Sequence, residues 1–216
     1  KRSPPLVREI ANPSRPPGAT ANARRRRPHR RAAYCIQTSV MPTFVLMAMA
    51  ELEGCTKFWV PEGHVWHFDL KQAAGPETRA GVEVDPDDEE EVPNAKGATA
   101  NLLLKFPGDK HASYMKYLPM PALTRAQTAA DTEMVPIAAF ECRGLEPVRW
   151  TPTGPYCVES EAGVVYDEVG FKDDEDWCEY DEKSETSLVV SKTIAHEFVS
   201  LVEAERRVKR MMQLKK

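Results

Sequence analysis

The chain has 216 residues, of which 42% are hydrophobic and 29% charged, a composition typical of one folded domain or two small ones. No uncharged apolar run approaches the ~20 residues that a membrane-spanning helix needs, which excludes a spanning protein. The net charge of −4 is unevenly distributed. Residues 1–40 carry ten basic side chains and one acidic side chain, whereas residues 41–216 carry 19 basic and 32 acidic side chains. An acidic body repels nucleic acid and anionic membranes, so only 1–40 and 202–216 are candidates for such contacts.

The N-terminal segment 1–40 contains six prolines and few apolar side chains, so we expect a disordered extension. Three interpretations are open: a region upstream of a mature start at Met41, a mitochondrial transit segment, or an RNA-binding arm. We expect a cytoplasmic protein, or a mitochondrial one if the transit interpretation holds. The third interpretation makes the chain a component of an organellar ribonucleoprotein, held by its basic termini.

Two strands are predicted at the start of the acidic body. Met41–Leu52 is a nearly continuous apolar run, which is typical of a buried strand. His64–Lys71 alternates, with Trp66, Phe68 and Leu70 on one face. This alternation predicts a half-buried antiparallel strand.

A long polar connection is predicted at 73–99. It contains seven acids between Glu83 and Glu91, and like charges at that density favour an extended, hydrated segment. Further strands are expected at 100–106 and 114–118. A segment rich in Pro, Thr and Ala at 119–134 is predicted to be a linker.

The second half is richer in strand signals, and it ends in a helical pattern. β-branched and apolar runs between turn residues predict strands at 137–142, 148–151, 163–169 and 187–194. From Ala195 the apolar residues recur at helical spacing; they are Phe198, Leu201, Ala204, Val208 and Met211. This spacing predicts an amphipathic helix that begins at Ala195.

These elements predict a mainly β fold with two β-rich lobes and a C-terminal amphipathic helix. The N-terminal lobe is placed at 41–118, the linker at 119–134 and the C-terminal lobe at 135–201. Residues 202–216 are predicted to be a basic helical tail. We expect a monomer.

Three segments of the chain carry a resemblance to a known family. FECRGLEP occupies 140–147, and DW at 176–177 is followed by YDEK at 180–183. Weaker similarity extends back to Met41. The chain therefore resembles the eukaryotic CXXC motif-containing zinc-binding proteins. The resemblance implies a mostly β fold of two lobes with approximate internal two-fold similarity, and a start near Met41.

The resemblance also implies a structural zinc ion, held by two CxxC pairs that close two loops together. At the corresponding positions this chain has Gln72 and Gly75, then Phe106 and Asp109. We therefore predict no metal, no other cofactor and a degenerate site, in which packing and turn residues hold the loops. The acidic residues at 83–91 are expected to lie over it.

Candidate substitute ligands are His64, His67, Asp109 and His111. The two residues His64 and His67 are three apart, so they point to opposite faces of a strand. Gly108 makes the segment of Asp109 and His111 a turn. Neither pair forms a recognisable metal motif.

The five cysteines include no CxxC and are widely spaced, which is typical of neither a disulfide framework nor a zinc site. Cys142 with His196 is the one Cys–His pair considered for nucleophilic chemistry. Cys142 lies in a predicted strand beside Phe140, so we expect a small buried residue. A metal-handling or redox protein that uses Cys142 is the alternative.

Five residues are candidates for binding a protein partner. Glu141, Arg143 and Glu146 come from the FECRGLEP segment, and alternation places Glu141 and Arg143 on one face, opposite Cys142. A cross-strand ion pair is the simpler interpretation of these charges.

The other two candidates, Trp177 and Tyr180, lie among eight acids between Asp173 and Glu185. The default interpretation is a solvated acidic face with both rings packed inward. The alternative is a docking surface for a basic partner, with an exposed Trp177 as its anchor. The sequence thus predicts a non-enzymatic protein-interaction scaffold.

Overall fold

The structure is a computed structural model that describes residues 41–171 and 175–214. It is mainly β, as predicted, and ends in one helix. None of the helices in these two ranges is long and apolar enough to span a bilayer. The strands are β1 Thr43–Met49, β2 Leu52–Glu53, β3 Cys55–Trp59, β4 Trp66–Gln72, β5 Thr78–Val84, β6 Glu90–Glu91, β7 Thr99–Ala100, β8 Leu102–Leu104, β9 Ser113–Tyr117, β10 Gln127–Thr128, β11 Val135–Arg143, β12 Leu145–Trp150, β13 Tyr156–Ser160, β14 Val165–Val169, β15 Trp177–Asp181, β16 Thr186–Val190 and β17 Ala195–Ser200; the helix is α1 Leu201–Leu214. The interpretations placed on 1–40 lie outside the described residues.

The largest sheet has the order β17-β1-β11-β9-β8, and all its pairings are antiparallel. Six of the seven residues of its strand β1 are apolar, because both faces of the strand are covered. Leu46 and Ala48 point into the main core. Val45 and Met47 point to the opposite face, where they pack with Ala204 and other residues of α1.

Three further sheets surround the main core, with the orders β10-β3-β13-β14, β12-β4-β5 and β15-β16-β2, and a short β6-β7 ribbon completes the strands. Aromatic rings fill the centre. The rings of Phe68 and Phe140 lie 5.0 Å apart, and those of Trp66 and Trp150 lie 6.0 Å apart. The predicted alternation in β4 is confirmed, since Trp66, Phe68 and Leu70 are all buried.

The helix prediction was wrong at its start. Residues Ala195–Ser200 form strand β17, which pairs with β1 in register from Met49↔Ala195 to Phe44↔Ser200. Phe198 packs against the main core and Val199 against the cluster beneath α1, so both faces of this segment are covered. A segment buried on both faces and bonded to a neighbouring strand is held as strand despite its helical spacing.

The prediction of an unstructured polar connection at 73–99 was also wrong in part. Strand β5 pairs with β4 along Thr78–Val84, from Lys71↔Thr78 to Trp66↔Val84. Most of its side chains are exposed because it is the edge of its sheet, and only Val84 is buried. Backbone pairing with β4 and the packing of Val82 and Val84 at the main core place this polar segment in the sheet.

The predicted lobes share both a sheet and a core. Strands from before and after the predicted linker 119–134 alternate in the five-stranded sheet. The main core likewise includes Phe68 from the first half and Trp150 from the second. These contacts join the two predicted lobes across residues 119–134. The division of the chain at that segment stays a prediction.

Candidate functional site

The candidate site is formed by two turns that meet beside the β11–β12 connection. The first turn, 72–75, follows β4, and the second, 106–109, follows β8. The side-chain amide Nε2 of Gln72 donates a hydrogen bond of 2.7 Å to Oδ1 of Asp109. One residue of each turn therefore bonds directly to the other turn, across 37 positions of sequence.

Gly75 leaves the space through which this bridge passes. A Cβ atom at Gly75 would lie 1.9 Å from Oε1 of Gln72, closer than any real contact. Within the first turn, the backbone N–H of Gln72 donates to the Glu77 carbonyl at 2.8 Å. The backbone therefore holds Gln72 in place while its side chain lies over the glycine.

The second turn is anchored by an aromatic ring. Phe106 is 1% exposed and belongs to the main core. Burying a ring of this size stabilises a fold by about 1.5–3 kcal/mol. The backbone N–H of Asp109 donates to the Phe106 carbonyl at 3.2 Å, so the anchored ring also positions the carboxylate that Gln72 contacts.

Gly144, between β11 and β12, contacts the residues that flank both turns. Its carbonyl accepts a hydrogen bond of 3.1 Å from the N–H of Ala73. A Cβ at Gly144 would lie 2.5 Å from Oγ of Ser113, and the φ of +74° is one that glycine adopts readily. The glycine of the FECRGLEP segment thus joins the first turn to strand β9 of the five-stranded sheet.

A cavity of about 480 Å³ lies beside the turns. Among its lining residues are Gln72, Asp109, His111, Tyr114, Arg143 and Asn94. The Tyr114 hydroxyl lies 3.3 Å from Oε1 of Glu141. Burial and the Glu141 carboxylate raise the pKa of Tyr114, and Arg143 opposes them. Glu141 and Arg143 thus meet on one face, as alternation predicts, through a tyrosine of the neighbouring strand.

Cys142 precedes the β11–β12 connection in the chain, and Glu146 follows it. Glu146 is in register with Lys71, opposite the first turn. Cys142 is completely buried, and burial, with smaller contributions from Glu141 and Glu146, raises the pKa of its thiol. This burial agrees with the expectation of a small core residue.

His196 is engaged with backbone groups. Its Nε2 accepts a hydrogen bond of 3.2 Å from the N–H of Trp150, and its Nδ1 lies 3.1 Å from the Ile194 carbonyl. This pattern fits a neutral imidazole protonated at Nδ1. The ring is therefore held as a structural link between β12 and β17.

The other two partner-binding candidates lie on a different sheet, in β15. The predicted inward packing fails for Tyr180, whose side chain is 53% exposed. Trp177 is half-buried against Tyr166, with ring centroids 5.8 Å apart. The two rings are three positions apart in a strand, so they point to opposite faces. Asp173 and Asp174, the start of the predicted acidic face, lie outside the described residues.

The degenerate positions do not fit a structural zinc ion. Gln72 uses its amide to bond Asp109, Gly75 has no side chain, and Phe106 points into the apolar core. One carboxylate remains, whereas such a site needs four thiolate or imidazole ligands. Throughout 41–171 and 175–214, no group of three or more His, Cys, Asp or Glu is arranged to hold a metal.

The candidate substitute ligands are dispersed. His64 lines a different cavity, and Nδ1 of His67 lies 3.2 Å from the Thr153 hydroxyl. His111 lines the cavity beside the turns together with Asp109. The acidic stretch does not lie where we expected, because Asp87 and Glu89 line the cavity of His64.

Sequence comparison links the chain to one family. The model of the eukaryotic CXXC motif containing zinc binding protein family matches residues 45–199. The Bos taurus protein of that name is 39% identical over 64 residues, which are 29% of this chain and 39% of the relative. The UPF0587 protein CG4646 of Drosophila melanogaster is 41% identical over 66 residues, which are 30% of this chain and 39% of the relative. These alignments span about two fifths of each relative's length.

Two solved structures share the fold. A hypothetical protein from Plasmodium falciparum superposes with a TM-score of 0.65 and 25% identity, over 74% of this chain and 100% of that one. C1orf123 superposes with a TM-score of 0.64 and 25% identity, over 73% of this chain and 99% of its own. The family resemblance that the motifs between residues 140 and 183 predict is confirmed. Helix α1 lies beyond the residues that the family model matches.

Proposed function

Because this chain belongs to the eukaryotic CXXC motif containing zinc binding protein family, we propose that it is a zinc-free, non-enzymatic member that acts by binding a protein partner. The observation that carries the proposal is the closure of the two turns. The bond between Gln72 and Asp109 joins them, and the ring of Phe106 anchors the second turn in the core. These contacts take the place of the ion that the family's name implies.

The absence of a reactive centre around the FECRGLEP segment supports the non-enzymatic part of the proposal. A thiolate nucleophile needs a lowered pKa and access to substrate. Cys142 has neither, since it is completely buried and its pKa is raised. His196 is held by the backbone at Trp150 and Ile194. The alternative of a redox protein that uses Cys142 therefore gains no support from the geometry.

Charge supports the partner-binding part. Residues 41–216 carry 32 acidic and 19 basic side chains, a balance that favours encounter with a basic protein surface. Glu141, Arg143 and Glu146 lie near the turns, and Tyr180 with Trp177 lies on the β15 sheet. Tyrosine, tryptophan and arginine are the residue types most often found at the energetic centre of an interface.

The metal content of the purified full-length chain tests the proposal. We expect less than about 0.2 zinc per chain by elemental analysis, and an unchanged melting temperature after treatment with a chelator, because structural zinc binding is folding free energy. Near-stoichiometric zinc, or a chelator-induced loss of stability, would contradict it.

A variant designed to bind zinc is the positive control for the metal measurements. The quadruple variant with Cys at positions 72, 75, 106 and 109 restores two CxxC pairs in the same two turns. We expect it to bind about one zinc ion per chain, while the matched variant with Ser at the same positions binds none. Because Phe106 packs in the main core, the fold of the Cys variant is checked first. A folded Cys variant that takes up no zinc would mean that the four positions do not converge on one ion.

A further inference from the structure

A second cavity of about 480 Å³ opens on another side of the main core. Its lining includes the β3–β4 connection at 60–64, the β5–β6 connection at 86–89, and Lys116 and Tyr117 of strand β9. A volume of this size falls within the range of about 300–1,000 Å³ that is typical of ligand sites.

One wall of this cavity is fixed by a single amide side chain. Nδ2 of Asn101 donates to the carbonyls of Pro86 and Asp88 at 2.9 and 2.8 Å. Its Oδ1 accepts from the N–H of Tyr117 at 2.7 Å. The 86–88 segment is thus held against β9, so the wall is pre-formed, which lowers the entropic cost of binding.

A buried histidine, packed among aromatic rings, lines the interior of this cavity. His64 lines the cavity and is 4% exposed, and neither of its ring nitrogens has a hydrogen-bond partner of normal geometry within the described residues. Its ring lies 4.8 Å from that of Trp66, edge to face. Burial lowers the pKa of His64 to about 4; the nearby carbonyl of Pro155 opposes this effect and His67 adds to it. The imidazole is therefore neutral at pH 7, with one nitrogen able to accept a hydrogen bond.

The mouth of the cavity is acidic. Glu62, Asp87 and Glu89 line it and are exposed. The single cation among the lining residues, Lys116, lies 3.7 Å from Glu89 and also donates to the Thr99 hydroxyl. The Glu62 carboxylate acts across the cavity, since it adds to the burial effect that raises the pKa of Tyr117.

From this arrangement we infer that the cavity binds a cationic side chain, arginine or lysine, from a basic segment of a partner protein. The carboxylates of Glu62 and Asp87 meet the charge, and the rings of Tyr117 and Trp66 border the alkyl stem. A cation in this position is attracted by the faces of the aromatic rings and forms charge-assisted hydrogen bonds with the carboxylates. The inference rests on the proposed function, because it names the class of partner that the scaffold takes.

A titration of the full-length, isotope-labelled chain by two-dimensional NMR tests the site. The probe is a blocked Gly-Arg-Gly peptide, and its control is the same peptide with citrulline, which keeps the shape of arginine and removes its charge. We expect the arginine peptide to shift the indole resonance of Trp66 and to leave that of Trp177 in place. The citrulline peptide is expected to bind at least about tenfold more weakly.

Variants at the mouth locate the binding. Glu62→Gln and Asp87→Asn are each expected to weaken binding about threefold. Glu161→Gln, which removes the same charge from the β13–β14 turn, lines neither cavity and is expected to have no effect. The inference is overturned if citrulline binds as well as arginine, if Glu161→Gln weakens binding as much as Glu62→Gln, or if the Trp66 resonance does not move. Each of these results leaves the zinc measurements unaffected, so failure of this site is distinguishable from failure of the zinc-free proposal.

Discussion

Two regions of this molecule are built from similar parts and differ in how their polar groups are satisfied. At the paired turns, Gln72 and Asp109 bond to each other, and the neighbouring Phe106 fills the core. At the second cavity, Asn101 bonds three backbone groups, yet neither ring nitrogen of the buried His64 has a hydrogen-bond partner of normal geometry among the described residues. A polar group that is paired internally gains no hydrogen bond from a ligand without losing one, so the paired turns fit a structural role. The second cavity is the one for which we propose a binding role.

At the paired turns, the largest loss of stability is expected from removing the buried ring of Phe106. Phe106→Ala is expected to lower the free energy of unfolding by about 3–5 kcal/mol, because it deletes a fully buried ring and leaves a cavity. Urea unfolding of the variant and the parent measures this. Phe106→Leu is the matched control, with an expected loss of at most about 1.5 kcal/mol. A loss below about 1 kcal/mol for Phe106→Ala would mean that the second turn does not depend on the core.

The buried histidine of the second cavity predicts that the stability of the fold depends on pH. The pKa of His64 is lowered to about 4 by burial, and an unfolded histidine titrates near ~6.5. Between these values the unfolded chain binds the extra proton, so stability is fully present above pH ~6.5 and falls as the pH drops towards about 4, by about 3 kcal/mol in all. Urea unfolding across this range measures the loss.

Two variants isolate the contribution of this residue. His64→Phe removes the titrating group, so its stability should depend less on pH in this interval. His111→Gln, which removes an exposed histidine near the turns, should retain the parent's dependence. An unchanged pH profile in His64→Phe would show that the burial of His64 is not what destabilises the fold in acid.

Much of the fold could be predicted from the sequence because it follows from alternation within single strands. The faces of β4 are correct at Trp66, Phe68 and Leu70. The start of α1 also had a local signal that the apolar spacing concealed. Ser200 accepts a hydrogen bond at 3.3 Å from the N–H of Glu203, and a serine followed three residues later by glutamate is a capping box. Reading that signal places the helix start after Ser200.

The candidate site was predictable only in part. The resemblance located the two turns, but the bond between Gln72 and Asp109 joins residues 37 positions apart, and no local rule pairs them. The side chains of Trp177 and Tyr180 point to opposite faces of β15 because side chains alternate along a strand, so this difference could have been predicted. Sequence reasoning offers His64 only as a substitute metal ligand, because its place in the second cavity depends on segments that lie far apart in the sequence.

The wall of the second cavity supplies the next test. Asn101→Ala removes three hydrogen bonds and leaves the carbonyls of Pro86 and Asp88 without their side-chain partner, so we expect a loss of about 2 kcal/mol. Hydrogen exchange should also accelerate at 86–88 and stay unchanged in β1. If exchange at 86–88 does not change, Asn101 does not hold the wall. The arginine peptide should bind the variant more weakly, since the wall is no longer pre-formed.

The smallest expected effect concerns the bridge between the turns. Gln72→Ala is expected to lower stability by about 1 kcal/mol, the usual net value of one hydrogen bond. A double-mutant cycle with Asp109→Ala separates the bridge itself from other effects of each truncation, with an expected coupling of about 0.5–1 kcal/mol.

Gly75→Ala tests the same bridge by a different route. The added Cβ would displace Oε1 of Gln72, which it approaches to 1.9 Å, and the displaced side chain would leave Asp109. Because the obstacle is the end of a flexible side chain, the loss should match that of Gln72→Ala, about 1 kcal/mol, and should vanish in the Gln72→Ala background. If Gly75→Ala costs as much without the glutamine, the glycine is needed by the turn's backbone and not by the bridge.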